Sequence, residues 1–364
     1  MKRLGISIYQ EKSSKQEILE YIDLAHKYGF NRIFSCLLSV TDSKENIIEK
    51  FKDVNLYAKE RGFEVIVDVS PRVFDELGIS YSDLTFFKEI EADGLRLDLG
   101  YTGSEESIMT FNPQGLKIEI NMSNDTRYID TIMDYMPNRN NLIGCHNFYP
   151  HNYCGLELSH FKSCTDNFTK YGIQTAAFLS SSVENSFGPW PVTDGLPTLE
   201  MHRNLPIEVQ AKHFIALGDI DDLIISNCFA SEDEFIKLAN LRKDLVSFEV
   251  ELCDNVPEVE QSILFDELHF NRGDVTDYVL RSTASRVKYK GHEFKVFNPV
   301  KEIKRGDIII ESSLYGHYAG EVQIATKDII NSGKSNVVGR IREEEIFLLD
   351  YIKPWQKFVF TKKQ

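Results

Sequence analysis

No uninterrupted apolar run in this sequence approaches the 18 or so residues of a membrane-spanning helix. The opening Met1-Lys2-Arg3 leads straight into Leu4-Gly5-Ile6-Ser7-Ile8-Tyr9, without the apolar stretch of about 7–15 residues and small-residue cleavage site of a secretory signal. Positive charge is scarce: 41 Lys and Arg stand against 56 Asp and Glu, a formal net charge of −15. That balance argues against nucleic acid or anionic membrane as a partner, since both need a basic face, but one small anionic substrate needs only a local cluster of donors. Cysteine is sparse as well. The six residues, Cys36, Cys145, Cys154, Cys164, Cys228 and Cys253, form no CxxC pair, and three of them lie in apolar runs as reduced core thiols do. The expected location is cytoplasmic. Only 11 prolines occur in 364 residues, with no repeat or low-complexity stretch, so long disorder is not expected.

What is present over the first 240 or so residues is an alternation of short apolar runs with amphipathic stretches. The runs are 4–9, 32–38, 64–69, 94–99, 116–121, 142–148, 174–179 and 222–227. Ser14 and Glu17 are spaced as a capping box ahead of Ile18, Ile22 and Ala25, and Gly29 ends that helix. A second helix starts near Asp42–Glu45 and stops at Arg61-Gly62. Further helices are expected near 125–135, 157–171, 206–217 and 231–240. A doubly wound dinucleotide fold would show G-x-G-x-x-G in its first turn, and this chain has none. Eight strand–helix units predict a (β/α)8 TIM barrel over 1–242, with the long segment 180–205 over its mouth. From 246 to 364 the texture is β-rich. Strand candidates there are 287–290, 293–297, 307–311, 321–325, 337–341 and 346–351, and Gly291, Gly306 and Gly333 mark turns.

Barrel chemistry sits at the C-terminal ends of the strands, and these ends are polar here. Strand three closes on Asp68-Val69-Ser70-Pro71. Arg96 and Asp98 leave one face of strand four, Glu119 and Asn121 one face of strand five, and strand six closes on His146-Asn147-Phe148-Tyr149. Two carboxylates on neighbouring strands suit glycosidic cleavage, one as acid and the other as nucleophile or base. Asp98 and Glu119 are the first candidates, with Asp68 and Glu200 in reserve. Asn121, Asn147 and His146 are candidate sugar contacts. The plainer alternative for Arg96, Asp98 and Glu119 is a buried ion-pair layer with no catalytic role. In the segment Asp194–Arg203, Thr198 or Asp194 is a candidate cap for a short helix, with His202 and Arg203 beside it as a phosphate seat; the alternative is a lid with a surface arginine. No zinc-type pairing, P-loop or nucleophile elbow is found, so neither metal nor cofactor is expected.

Several blocks together resemble a known bacterial family. They are Leu4–Tyr9, Gly29–Ser35, Leu95–Asp98, Glu119–Asn121, His146–Pro150, Gly195–Arg203, Arg305–Ile308, Gly320–Ile324 and Asn336–Ile341. The sequence resembles the 6-phospho-N-acetylmuramidase family of glycoside hydrolases over nearly its whole length. The resemblance implies a (β/α)8 barrel followed by a cyclophilin-like β domain. It also implies hydrolysis of the β-1,4 bond of MurNAc-6-phosphate–GlcNAc, a phosphorylated amino-sugar disaccharide, during cell-wall recycling. It leaves open whether the β domain shapes the barrel mouth or forms a homodimer, and it assigns no catalytic residue. Two other readings stay open: another phosphosugar enzyme on the same barrel, and a sugar-phosphate sensor without catalysis. An aldolase would usually need a lysine or a metal at a strand end, and no lysine stands there.

Overall fold

The computed structural model describes residues 2–38, 43–192 and 194–363. The chain divides into two compact units, Met1–Ala211 with Asp219–Asn240, and Lys212–Gly218 with Leu241–Gln364. Among the described residues no helix is long and apolar enough to cross a membrane.

The first unit is a closed parallel barrel of β1 (Arg3–Ile8), β2 (Arg32–Cys36), β3 (Glu64–Val69), β4 (Gly94–Leu97), β5 (Lys117–Asn121), β6 (Leu142–Cys145), β7 (Gln174–Leu179) and β8 (Asp222–Ile225). β8 returns to pair with β1. These strands are buried almost throughout because helices cover one face and barrel side chains the other. Ser14 and Glu17 form the expected capping box on the helix Lys15–Lys27, and Ser231 with Glu234 forms another on Glu232–Ala239. The second helix runs Lys44–Glu60 with Ser43 as its cap; Asp42, expected near its start, lies outside the described residues. Three short helices carry no strong periodic signal and were not expected: Pro71–Leu77, Thr85–Glu89 and Ser104–Met109.

The lower end of the barrel is polar. Arg3, Arg32, Glu64, Lys117 and Asp222 are each the first residue of a strand, and they form one ionic girdle. Arg3 reaches Glu64 at 2.9 Å and Asp222 at 2.8 Å, and Lys117 reaches Glu64 at 2.7 Å. Arg32, fully buried, sits 3.8 Å from both Glu64 and Asp222 and donates from Nη2 to Glu119. Above the girdle the register sets Cys36 opposite Asp68, Asp68 opposite Arg96, and Arg96 opposite Glu119. Gly94 makes the close approach of β3, β4 and β5 there: a Cβ on it would stand 2.5 Å from Ile66 and 2.6 Å from the Lys117 carbonyl.

The second unit is mostly sheet. Its strands are β9 (Val246–Leu252), β10 (His269–Phe270), β11 (Val279–Ser282), β12 (Glu302–Ile303), β13 (Asp307–Glu311), β14 (Val322–Ala325), β15 (Ile329–Ile330), β16 (Ser335–Ile341) and β17 (Lys357–Lys362). Seven of them form a sheet in the order β10-β17-β9-β16-β13-β14-β11, and β12 pairs with β15. The two edge strands of the larger sheet approach one another: the Arg272 N–H donates to the Arg281 carbonyl at 2.9 Å, and His269 Nδ1 lies 3.1 Å from Ser282 Oγ. The core joins Phe248, Phe358 and Phe360 to Ile263 and Leu264 of the helix Glu258–Phe265.

Three expected strands of this unit are corrected. Residues 287–290 run from the end of the helix Ala284–Lys288 into a turn, 293–297 form no strand, and 346–351 belong to a 3-10 segment, Glu343–Tyr351. The apolar alternation there comes from residues packing inward from one side of a short helix or coil. Ile346, Leu348 and Leu349 join the core without any ladder partner.

Candidate active site

At the upper end of the barrel a cavity of about 190 Å³ opens, lined by Asp68, Arg96, Asp98 and Asn147 with the aromatic walls Phe34, Phe148 and Phe178. Pro189 and Trp190 of the long connection after β7 also line it, as a segment over the mouth should. Arg96 organises the polar floor. From Nη1 it donates to Asp68 at 2.6 Å and to Asp98 at 3.3 Å, and from Nη2 to the Asn147 side-chain oxygen. A shared nitrogen caps the separation of the two carboxylate oxygens at the sum of those distances, about 5.9 Å.

The two carboxylates differ in exposure. Asp68 is almost wholly buried, while about a third of the Asp98 side chain is accessible. Burial pushes the Asp68 carboxyl up to about 7; Arg96 opposes that rise and the neighbouring Asp98 adds to it. A buried acid beside a more exposed one is the asymmetry by which two carboxyls take different roles.

Other expected residues stand elsewhere. Glu119 does not line the cavity. It lies below, 1% exposed and bound by Arg32, where burial raises its pKa against the pull of Arg32 and Arg96. Asp98 therefore shares the cavity with Asp68, a reserve candidate, rather than with Glu119. Strand alternation put Glu119 on the inner face but carried no information on its height, which Arg32 decides.

His146 also turns away from the cavity. It is fully buried, stacked on Phe161 at 4.4 Å, with Nε2 3.0 Å from Thr165 and Nδ1 3.3 Å from Ser123. Burial, with Arg96 nearby, lowers its pKa to about 3. Asn121 is a strap: its amide donates to the Asp98 carbonyl at 3.0 Å and its oxygen accepts from the Ser123 N–H. Tyr149 is half-buried and hands its carbonyl to Arg203.

Arg203 is a clamp. Nε and Nη2 grip Glu200 in a two-pronged pair at 2.7 and 2.6 Å, Nη1 donates to the carbonyls of Tyr149, Asp194 and Gly195, and Nη2 donates to that of His151. With every N–H directed at the protein, it offers nothing to a phosphate. Glu200, held by Arg203 and by the N–H groups of Tyr153 and Gly155, drops to about 2. His202 is fully buried in the 3-10 turn Glu200–His202 and does not face a ligand. Neither Thr198 nor Asp194 caps that turn; the Thr198 hydroxyl instead accepts from the Phe178 N–H and donates to the Asn147 carbonyl.

The aromatic walls and Arg32 were not foreseen as site or core-charge residues. An arginine at the head of an apolar strand run was the available signal for the girdle. No group of three or more His, Cys, Asp or Glu among the described residues is arranged to hold a metal.

Comparison with known proteins decides the family. A family model described as 6-phospho-N-acetylmuramidase, N-terminal, matches residues 4–240, and one described as 6-phospho-N-acetylmuramidase, C-terminal, matches 246–361. The chain belongs to this family. It is thereby a glycosidase by family. An uncharacterized B. cereus protein is 48% identical, with 99% of each chain covered and a TM-score of 0.92. A conserved Enterococcus faecalis protein of unknown function, 23% identical over 99% of this chain and 96% of its own, has a TM-score of 0.71 and shares the fold. No curated protein matches.

Proposed function

We propose that the chain hydrolyses the β-1,4 bond of MurNAc-6-phosphate–GlcNAc, releasing MurNAc 6-phosphate and GlcNAc in cytoplasmic cell-wall recycling. The observation that carries this reading, beside the family, is the pair Asp68 and Asp98 on one arginine at the floor of an aromatic-walled cavity. A carboxyl raised to about 7 still holds its proton near neutrality, so Asp68 protonates the leaving oxygen. Asp98, open to the cavity, serves as nucleophile or as base for water. The ceiling of about 5.9 Å between their oxygens fits the closer of the two spacings, about 5–5.5 Å, which favours a retaining course. Phe148 and Trp190 offer apolar faces to the sugar rings, with Phe178 packed behind Phe148, and Asn147, already held by Arg96, offers its amide to a hydroxyl.

For the 6-phosphate, the exposed guanidinium of Arg72 is our assignment. Its Nη2 donates at 3.0 Å to the carbonyl of Leu38, a residue on the cavity rim, while Nη1 is only loosely paired with Glu76 at 3.2 Å. We further take residues 1–242 as the catalytic domain and 246–364 as a cyclophilin-like domain, the approach of β10 to β11 supporting near-closure of its sheet.

Mass-spectrometric product analysis on the phosphorylated disaccharide and its unphosphorylated twin tests the reading. Cleavage of the phosphorylated compound alone is expected. Tight binding without turnover would turn the assignment to a sensor.

A further inference from the structure

A second cavity, of about 350 Å³, lies within the β-rich unit and plays no part in the chemistry above. Its lining draws on the helix Ala284–Lys288, the turn after it and the segment Ser313–Tyr318: Arg286, Tyr289, Lys290, His292, Phe294 and His317 carry its character. In a chain of net charge −15, this cavity is lined by an arginine, a lysine and two histidines and by no carboxylate. Of the carboxylates nearby, Glu321 is 0% exposed and Glu260 2%, Glu267 is taken up by Lys288 and the Tyr289 hydroxyl, and Glu293, between His292 and Phe294, is exposed to solvent.

The wall is built rather than incidental. Glu321 fixes Arg286 from behind at 3.1 Å, and Gln323 donates to the other oxygen of Glu321. Phe294 accepts at its carbonyl from the Ser313 N–H and donates its own N–H to the Ser313 hydroxyl, and Gly320 lies against its ring, where a Cβ would stand 2.6 Å away. Gly320 has φ +80, so glycine is favoured there on both counts. Lys290, His292 and His317 are exposed, and none has an ion-pair partner among the described residues. The lining therefore combines cationic donors with the apolar surface of Tyr289, Val287 and Ala319, over the buried ring of Phe294. A guanidinium and an ammonium together suit a phosphomonoester, and an aromatic–aliphatic face suits the C–H surface of a pyranose.

We propose that this cavity binds a phosphorylated monosaccharide, with the phosphate on Arg286 and Lys290 and the sugar ring against Tyr289 and Val287. The proposal is independent of the hydrolytic reading, because it rests on residues of the β-rich unit alone.

Titration calorimetry on the full chain carrying Asp98→Asn tests it, with N-acetylglucosamine 6-phosphate, N-acetylglucosamine and inorganic phosphate as separate probes. The sugar phosphate is expected to bind, the free sugar not detectably, and inorganic phosphate more weakly. Adding Lys290→Ala and His317→Ala, both at exposed positions, should weaken the sugar phosphate by roughly tenfold or more. Adding Trp190→Ala, at the barrel cavity, should leave that event unchanged. No binding, or binding unaltered by the Lys290 and His317 substitutions, overturns the proposal. Equal affinity for inorganic phosphate overturns its sugar half. Since hydrolysis is not measured, none of these results bears on the barrel reading.

Discussion

A guanidinium that holds two carboxylates and an amide at once, as Arg96 does, has no substitute in lysine, whose single ammonium cannot reproduce the planar fork. Arg96→Lys is expected to lower kcat by about 100-fold through lost positioning of Asp68 and Asp98; steady-state kinetics beside a melting curve separates this from unfolding. Asp98→Asn should lower kcat by roughly 100-fold or more with disaccharide binding retained, as calorimetry would read. Asp68 adds a pH signature. Its folded pKa, about 7, lies above the usual value near 4, so the folded protein keeps a proton that the unfolded chain has released. Its contribution to stability is therefore present below about 4, declines as pH rises to about 7, and is flat beyond. Asp68→Asn should flatten that slope in denaturant melts. In the active enzyme, kcat/KM should fall as pH passes about 7, because the acid is then ionised. Arg72→Ala should raise KM for the phosphorylated disaccharide about tenfold while leaving kcat near its original value.

At the scale of elements, much of the barrel was legible because its signals are local. Ser14 with Glu17 and Ser231 with Glu234 announce helix starts whatever the tertiary fold, and the structure shows both boxes. The short helix Thr85–Glu89 was not legible: five residues hold too little of a 3.6-residue period to be told from a loop. Val287 and Ile346 misled in the opposite way. Each sits in an apolar run that resembles a strand, yet only long-range packing decides whether the backbone finds a ladder partner. The site divides along the same line. That Asp68, Arg96, Asp98 and Asn147 face one cavity follows from alternation and strand-end position. That Glu119 sits below it and Arg203 is fully occupied depends on contacts with residues 87 and up to 54 positions away. Arg203→Ala should free the connection after β7 from the loop after β6. Glu200 is partly exposed and keeps its two backbone N–H donors, so the main loss is that of the carbonyls Arg203 ties together, about 1–3 kcal/mol, and Tm should drop accordingly in calorimetric scans.

For the whole molecule, the acidic balance excluded broad classes of partner but could not reveal that positive charge is gathered in one cavity of the β-rich unit. The eightfold alternation favoured a closed barrel, and β1 to β8 close into one. The ionic girdle carries a further consequence. Three cations and three carboxylates, the five girdle residues and the Glu119 that Arg32 ties to them, are drawn from β1, β2, β3, β5 and β8. Arg32 and Glu119 form its buried centre, and exchange of either alone strands a buried charge, whereas Arg3, Lys117 and Glu64 keep contact with solvent. Glu119→Leu should therefore cost about 3–5 kcal/mol in urea melts, and the paired change with Arg32→Met should recover part of that loss. Along any lineage that carries this barrel, Arg32 and Glu119 would then be inherited as a pair, replaced in concert or not at all.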